Sequence, residues 1–179
     1  MAEVNMLIQS VEQSRAALLR SVAGLSEAQA TFKPGERQWS IVEVLEHLYL
    51  AELSGVAKIW AALESLRAGR GWAEGRPNAG KRIEDIVAAT WNPKEVAPPV
   101  ATPHIGGTLQ FWLSATRSLR SVLADLGAEL QGTHLEEVVF PHFLSGPLDA
   151  RQRLEFLRFH IERHTGQISH VCATPGFPA

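Results

Sequence analysis

The sequence predicts an all-α protein, a four-helix bundle, from three observations. Four segments carry apolar residues at the three-and-four spacing of an amphipathic helix, and no segment shows the sustained alternation of a half-buried strand. The composition, with 45% hydrophobic and 20% charged residues, is that of a globular chain. A length of 179 residues suits one core. We therefore expect a single domain over residues 1–179.

The first two helices are predicted over residues 2–22 and 40–66. The second has the clearest start signal, because Ser40 and Glu43 have the spacing of a capping box. In that motif the Ser40 hydroxyl accepts a hydrogen bond from the Glu43 amide, and the Glu43 carboxylate accepts one from the Ser40 amide. Residues 26–35 are interpreted as a connection between the two helices.

Residues 68–103 are rich in glycine and proline and predict a long connection with one short helix near residues 82–89. A loop of this length is uncommon in a compact domain and needs a reason. If helices two and three run parallel, the chain must travel back one helix length between them, which makes the segment a crossover. The third helix is predicted over residues 107–126, with Gly127 as its stop.

The fourth helix is the last element of the predicted bundle. Residues 132–147 before it are expected to be irregular. Asp149 is predicted to cap the helix, with Gln152 three residues later, and the helix is expected to continue to Cys172.

Charge and cysteine content exclude several classes of protein. The formal net charge is −2, with 17 Lys and Arg against 19 Asp and Glu, so no nucleic-acid partner is expected. The uncharged stretch 96–116 contains prolines and glycines that would break a membrane-spanning helix. The single Cys172 cannot form an intramolecular disulfide, and residues 1–13 lack the apolar core of a secretory signal. We therefore expect a cytoplasmic protein that does not bind membranes.

Three of the seven histidines lie in predicted helices at positions that face the bundle. His160 and His164 are four residues apart, so their side chains stand on one face of the fourth helix. His47 lies on the second helix near Ala51 and Ser54, whose small side chains would leave room beside it. Each neutral imidazole offers one lone pair, and converging ring nitrogens predict a site for a divalent metal.

A bundle without metal and with buried histidines stays an alternative, because a helical histidine is more often structural than a ligand. His104 and His170 are expected at the surface, and the role of His142 is left open. Glu162 lies two residues after His160, roughly 200° around the helix. It cannot serve as the base of an HExxH metalloprotease, and this class is excluded.

Three passages in this order resemble the DinB/YfiT-like family of metal-dependent enzymes. They are FKP at 32–34 with QWSIVEVLEHL at 38–48, PHF at 141–143 with GPL at 146–148, and RFHIERHTGQI at 158–168. The resemblance implies an up-down-down-up four-helix bundle, with the long crossover between helices two and three, and a homodimer.

The resemblance also implies a metal held by His47, His160 and His164. Zinc or nickel is the first expectation, and iron or copper also suits three histidines. Family members of known activity use a low-molecular-weight thiol, as bacillithiol S-transferases and mycothiol-dependent maleylpyruvate isomerase do. The expected cofactors are thus a divalent transition metal and a thiol cosubstrate.

The first hypothesis is an enzyme, a thiol-dependent S-transferase or hydrolase of a small molecule. A metal-bound water or thiolate would be its nucleophile, because the ion lowers the pKa of either group. Gln167, three residues past His164, is a candidate for orienting a ligand or the substrate. The alternative is a bundle that binds a metal or a small ligand without catalysis, as a sensor or stress protein.

Overall fold

The computed structural model describes residues 2–91 and 96–179 of the chain. Most of these residues lie in six α-helices, and a pair of short antiparallel strands precedes the last helix. The helices are α1 (Ala2–Ser21), α2 (Glu27–Thr31), α3 (Ile41–Arg67), α4 (Ile83–Thr90), α5 (Leu109–Glu129) and α6 (Ala150–Cys172). The strands are β1 (Val139–His142) and β2 (Gly146–Asp149).

The four long helices, α1, α3, α5 and α6, form a helical bundle around a shared apolar core. Helix α1 lies mainly against α6, and α3 packs against both α5 and α6. Residues on the predicted apolar faces build the core, among them Leu18, Leu45, Ile59, Trp112 and Leu123. The predicted helical architecture is confirmed, and the four predicted helices match these four in order.

Helices α3 and α6, which carry the three selected histidines, both begin at the predicted caps. The Glu43 amide donates to the Ser40 hydroxyl at 3.3 Å, and the Ser40 amide donates to the Glu43 carboxylate at 2.8 Å. Asp149 and Gln152 form the same reciprocal pair at 2.8 and 3.2 Å. These bonds satisfy amide groups that the first turn leaves unpaired, and they fix where each helix starts.

The end of α5 differs from the prediction that Gly127 stops the third helix. The helix continues to Glu129, and Gly127 lies within it. A Cβ atom at Gly127 would lie only 3.1 Å from Cγ1 of Ile8 on α1. The glycine therefore permits the close approach of two helices and does not end one.

Residues 132–147, predicted to be irregular, contain part of a β-hairpin. Strands β1 and β2 pair with Pro141 opposite Pro147. Each strand has four residues, which is too short to display alternation, and each contains a proline that lacks an amide donor. The hairpin is therefore a correction to the sequence prediction.

Residues 26–35, interpreted as a connection, contain the short helix α2. Ser26 caps it by accepting a hydrogen bond from the Gln29 amide at 3.2 Å. A helix of five residues is too short to show apolar periodicity, although the Ser-x-x-Gln capping signal is readable. The other short helix, predicted near residues 82–89, is confirmed as α4.

The long connection between α3 and α5 is hydrogen-bonded, near the connection's own C-terminal end, to the first turns of α3. Residues 92–95 of this connection lie outside the described residues. The Glu46 carboxylate accepts hydrogen bonds from the amides of His104, Ile105 and Gly106 at 2.5, 2.6 and 3.1 Å. The connection is therefore fixed beside His47, the neighbour of Glu46.

A buried ion pair links α3 to α1. Glu52 interrupts the apolar face of α3, and only 4% of the residue is exposed. Its carboxylate accepts hydrogen bonds from Arg15 at 2.5 and 2.8 Å. The bidentate geometry compensates for the burial of both charges.

The uncharged stretch 96–116 contributes a 3-10 turn at Pro99–Ala101 and the beginning of α5. Among the residues that the structure describes, no helix is long and apolar enough to cross a membrane.

Candidate metal centre

The rings of His47 on α3 and of His160 and His164 on α6 meet in the interior of the bundle. The Nε2 atom of His160 lies 3.1 Å from Nε2 of His47 and 3.1 Å from Nε2 of His164. Potential ligand nitrogens of the three rings all lie within 4.8 Å of one another. The structure therefore brings together the three histidines that the sequence selects.

All three rings are buried and uncharged at neutral pH. The exposed fractions of His47, His160 and His164 are 5%, 7% and 7%. Burial lowers the pKa of His47, and burial together with the neighbouring His47 lowers the pKa of His164 to about 3. Burial and the two neighbouring rings also lower the pKa of His160. A neutral imidazole keeps the lone pair that a metal requires.

Hydrogen bonds at Nδ1 orient two of the rings. Nδ1 of His47 donates to the backbone carbonyl of Ala101 at 2.7 Å, and Nδ1 of His164 donates to Oε1 of Gln167 at 2.7 Å. Because carbonyl and amide oxygens only accept, the proton of each neutral ring lies on Nδ1. Both Nε2 atoms therefore present lone pairs toward His160. Gln167, the candidate for orienting a ligand or the substrate, is the residue that makes this contact with His164.

This donor set fits a divalent transition metal. Nε2 of His160 can donate its proton to only one of its two neighbours, so at least one lone pair in the cluster is left without a donor among the three rings. A cation that accepts all three lone pairs removes this conflict. Imidazole nitrogens are common ligands of zinc and suit nickel, iron and copper. The cluster is thus compatible with metal binding.

The histidine cluster opens onto a cavity of about 600 Å³, which is within the range of small-molecule sites. Trp39 forms part of its wall, with its ring centre 4.8 Å from that of His47. Ala51 and Ser54 also line the cavity, and their small side chains leave space beside His47, as predicted. A small molecule therefore has room to reach the three rings.

His142, whose role the sequence leaves open, is buried and lines the same cavity. The amides of Leu144 and Ser145 donate to its Nδ1 atom at 3.4 and 3.2 Å. Burial, with the positive charges of Arg153 and Lys58, lowers the pKa of His142 to about 3. The proton of the neutral ring therefore lies on Nε2, which makes His142 a hydrogen-bond donor outside the three-histidine cluster.

His104, His170 and Glu162 were not expected to take part in the site. His104 and His170 are exposed, as predicted, and His170 also lines the cavity. Glu162 accepts hydrogen bonds from the Ser14 hydroxyl at 2.8 Å and from Arg158 at 2.7 Å. These contacts hold its carboxylate away from the cluster, which agrees with the exclusion of a metalloprotease.

Two further reactive groups, Cys172 and Glu43, do not line the cavity. Cys172 is half-buried, and burial raises the pKa of its thiol, so it stays protonated at neutral pH. The Glu43 carboxylate is held by the Ser40 amide and by Lys33, whose Nζ atom lies 2.7 Å away.

Arg153 is a buried cation that lines the cavity and that was not predicted from the sequence. Only 6% of Arg153 is exposed, and its guanidinium carbon lies 4.2 Å from the centre of the Phe140 ring. The residue lies on α6 seven positions before His160, on the same face of the helix. That spacing is the sequence signal that could have identified it.

Comparisons with known proteins agree with the resemblance. A sequence model of the DinB superfamily matches residues 10–168. The uncharacterized protein YuaE of Bacillus subtilis (strain 168) is 28% identical over 167 residues, which cover 89% of this chain and 93% of that protein. The family match includes all three passages that carry the resemblance.

Proposed function

The chain belongs to the DinB superfamily, and we propose that it is a metal-dependent enzyme that acts on a small molecule by thiol-dependent transfer or by hydrolysis. His47, His160 and His164 would be the protein ligands of the metal. The observation that carries the proposal is the convergence of three buried, neutral imidazoles at the wall of a cavity large enough for a substrate.

The number of protein ligands and their lack of charge favour a catalytic metal site over a structural one. Structural zinc sites use four protein ligands, whereas catalytic sites use three and keep a position open. Three neutral rings would also leave the charge of the ion uncompensated. The chemistry that such an ion supplies is Lewis acidity, which lowers the pKa of a water or thiol that binds to it.

The protein's own groups would orient the ligands and shape the site. The Ala101 carbonyl and the Gln167 amide hold the rings of His47 and His164 with Nε2 toward the centre. Such outer contacts also raise the basicity of a ligand. The Trp39 ring forms the cavity wall beside His47, with the two ring centres 4.8 Å apart.

The remaining features of the proposal follow from the resemblance. They are the up-down-down-up order of the helices, a homodimer and a low-molecular-weight thiol as cosubstrate. The single cysteine suits a reducing compartment, and we therefore also propose a cytoplasmic location. Zinc or nickel is the metal we propose first, because both accept three imidazole nitrogens. The proposal also treats residues 1–179 as one domain.

Metal analysis of protein purified without a His tag tests the site. We expect about one transition-metal ion per chain. His160→Ala should empty the site, because it removes the ring that contacts both of the others. His134→Ala is the matched control, since this side chain is 77% exposed, and should retain the ion. Full occupancy in His160→Ala would contradict the ligand assignment.

A panel of small thiols combined with electrophilic substrates, and of esters and amides alone, tests catalysis. We expect turnover that disappears in His160→Ala and persists in His134→Ala. A protein that holds the metal but turns over no compound would favour the alternative, a bundle that binds a metal or ligand without catalysis. One observation favours that alternative: no carboxylate of the described residues lines the cavity to act as a general base.

A further inference from the structure

Arg153 on α6 is a buried cation without an acidic partner among the residues that the structure describes. Its Nη1 atom is buried and has no hydrogen-bond partner there. The other buried arginine, Arg15, is held by the Glu52 carboxylate through two hydrogen bonds. A buried charge without a partner is costly to a folded protein. Arg153 therefore has the properties of a group that binds an anionic ligand.

Aromatic rings hold the Arg153 guanidinium in place. Its central carbon lies 4.2 Å from the centre of the Phe140 ring and 5.9 Å from that of Phe156. Cation–π contacts offset part of the cost of burying the charge, but they leave the N–H donors of the guanidinium unused. Burial lowers the pKa of Arg153 to about 10, so the group stays charged at neutral pH.

The part of the cavity around Arg153 offers positive charge and hydrogen-bond donors. Lys58 and His142 line the cavity with it. The Nζ atom of Lys58 lies 5.8 Å from the centre of the Phe140 ring that Arg153 also contacts, and the charges of Arg153 and Lys58 both lower the pKa of His142. His142 carries its proton on Nε2 because backbone amides donate to Nδ1. No Asp or Glu of the described residues lines the cavity. An anionic group of a ligand would meet no repulsion there.

Arg153 lies on the same helical face as one member of the histidine cluster. Arg153 and His160 lie on one face of α6, two helical turns apart, which corresponds to about 10 Å along the helix axis. A small molecule that contacts Arg153 at one end can therefore extend along the cavity toward His160.

We propose that Arg153 binds a carboxylate of the substrate or of the thiol cosubstrate and thereby directs the reactive end of that molecule toward the three histidines. The second half of this inference rests on the proposed function, since a reaction at the three histidines requires that they hold a metal. A carboxylate is the anion that fits best. Its planar pair of oxygens matches the fork of a guanidinium held between aromatic rings.

Calorimetric titration of the full chain with benzoate tests the anion site directly. The measurement is made on protein as purified and again after dialysis against a chelator, because benzoate could also bind a metal. Benzamide, which has the same shape but no charge, is the matched ligand. We expect benzamide to bind roughly tenfold or more weakly than benzoate in the dialysed protein. Equal binding of the two would overturn the proposal.

Arg153→Gln should weaken benzoate binding by roughly tenfold or more, because it removes the charge and keeps a polar side chain. Arg158→Gln is the matched control on the same helix. Arg158 is bonded to Glu84 and Glu162 and does not line the cavity, so its loss should leave benzoate affinity unchanged. Wild-type affinity in Arg153→Gln would refute the proposal. If the variant fails to fold, the comparison of benzoate with benzamide on the wild-type chain still tests whether the cavity binds a carboxylate.

Inorganic phosphate is a further probe that separates two kinds of anion. We expect it to bind more weakly than benzoate, because it lacks the apolar surface that the cavity walls would contact. Tighter binding of phosphate would contradict the choice of a carboxylate. Since the dialysed protein holds no ion, failure of benzoate to bind would contradict only the anion site at Arg153. Absence of a metal from the purified protein would contradict the proposed function and not the anion site.

Discussion

The Nε2 atoms of His47 and His160 lie 3.1 Å apart, although the two residues are separated by 113 positions in the chain. The position of His47 depends on two contacts with the long connection before α5. Its own ring donates to Ala101, and the neighbouring Glu46 binds the amides of residues 104–106. The described part of the connection therefore helps to fix the position of His47 in the histidine cluster.

Replacing Gln167 should weaken metal binding without unfolding the protein. In Gln167→Leu the His164 ring loses the acceptor at 2.7 Å that fixes its orientation. We expect metal affinity to fall by about 10–100-fold, the usual effect of removing such an outer contact. Competition with a chromogenic chelator measures this change. Gln167→Glu keeps an acceptor and should restore affinity, and equal affinities in all three proteins would argue against the orienting role.

The ion pair of Arg15 and Glu52 should contribute strongly to folding. Glu52→Gln leaves the buried arginine without its charged partner, and we expect a loss of about 3–5 kcal/mol in the free energy of unfolding. Urea denaturation measures it. The exposed pair of Arg67 and Glu129 provides the control, since Arg67→Gln should leave the free energy of unfolding nearly unchanged. Similar losses of unfolding free energy in the two variants would show that burial does not determine how much the pair of Arg15 and Glu52 stabilises the protein.

The capping carboxylate of Glu43 should make stability depend on pH. Partial burial favours its protonated form, but hydrogen bonds from Lys33 and Ser40 outweigh this effect and lower the pKa below its ordinary value of 4.5. A depressed carboxyl pKa stabilises the fold above the unfolded-state pKa, and this contribution is lost as the pH falls through the folded-state value.

Thermal unfolding of Glu43→Gln beside the wild type from pH 7 to pH 3 checks this prediction. The variant should be less stable at pH 7, and the difference should shrink as the pH falls below 4.5. If the difference in stability between the variant and the wild type stayed constant over this range, the effect would come from altered side-chain packing and not from the lost negative charge.

Arg153→Met should not lower the thermal stability of the ligand-free protein. The change removes a buried charge that has no acidic partner among the described residues, and it keeps much of the apolar side-chain volume. We expect an unchanged or higher Tm by calorimetry. Benzoate should then raise the Tm of the wild type and not that of the variant. A Tm lower by more than about 3 °C would show that Arg153 stabilises the fold.

The parts of the structure that the sequence predicted depend on local signals. The capping boxes at Ser40 and Asp149 need only residues three positions apart, and the pair of His160 and His164 needs only the period of one helix. His47 was selected from its place on the second helix beside the small side chains of Ala51 and Ser54, and the resemblance to the DinB/YfiT-like family implies the same three ligands.

The parts that the sequence missed depend on distant contacts. Gly127 resembles a helix stop until its distance from Ile8 on another helix is known. The hairpin needs the pairing of two strands too short to show a pattern. The spacing of Arg153 from His160 places the two residues on one helical face, but nothing near Arg153 in the chain indicates that Phe140 covers its charge.

Anomalous diffraction from crystals of the untagged protein, collected at transition-metal absorption edges, tests the central claim most directly. We predict one strong peak per chain at roughly 2.0–2.1 Å from the Nε2 atoms of His47, His160 and His164, the usual distance for a zinc–imidazole bond. The claim would be contradicted by the absence of any peak among these three rings, or by an ion bound to other residues while the three histidines stay free.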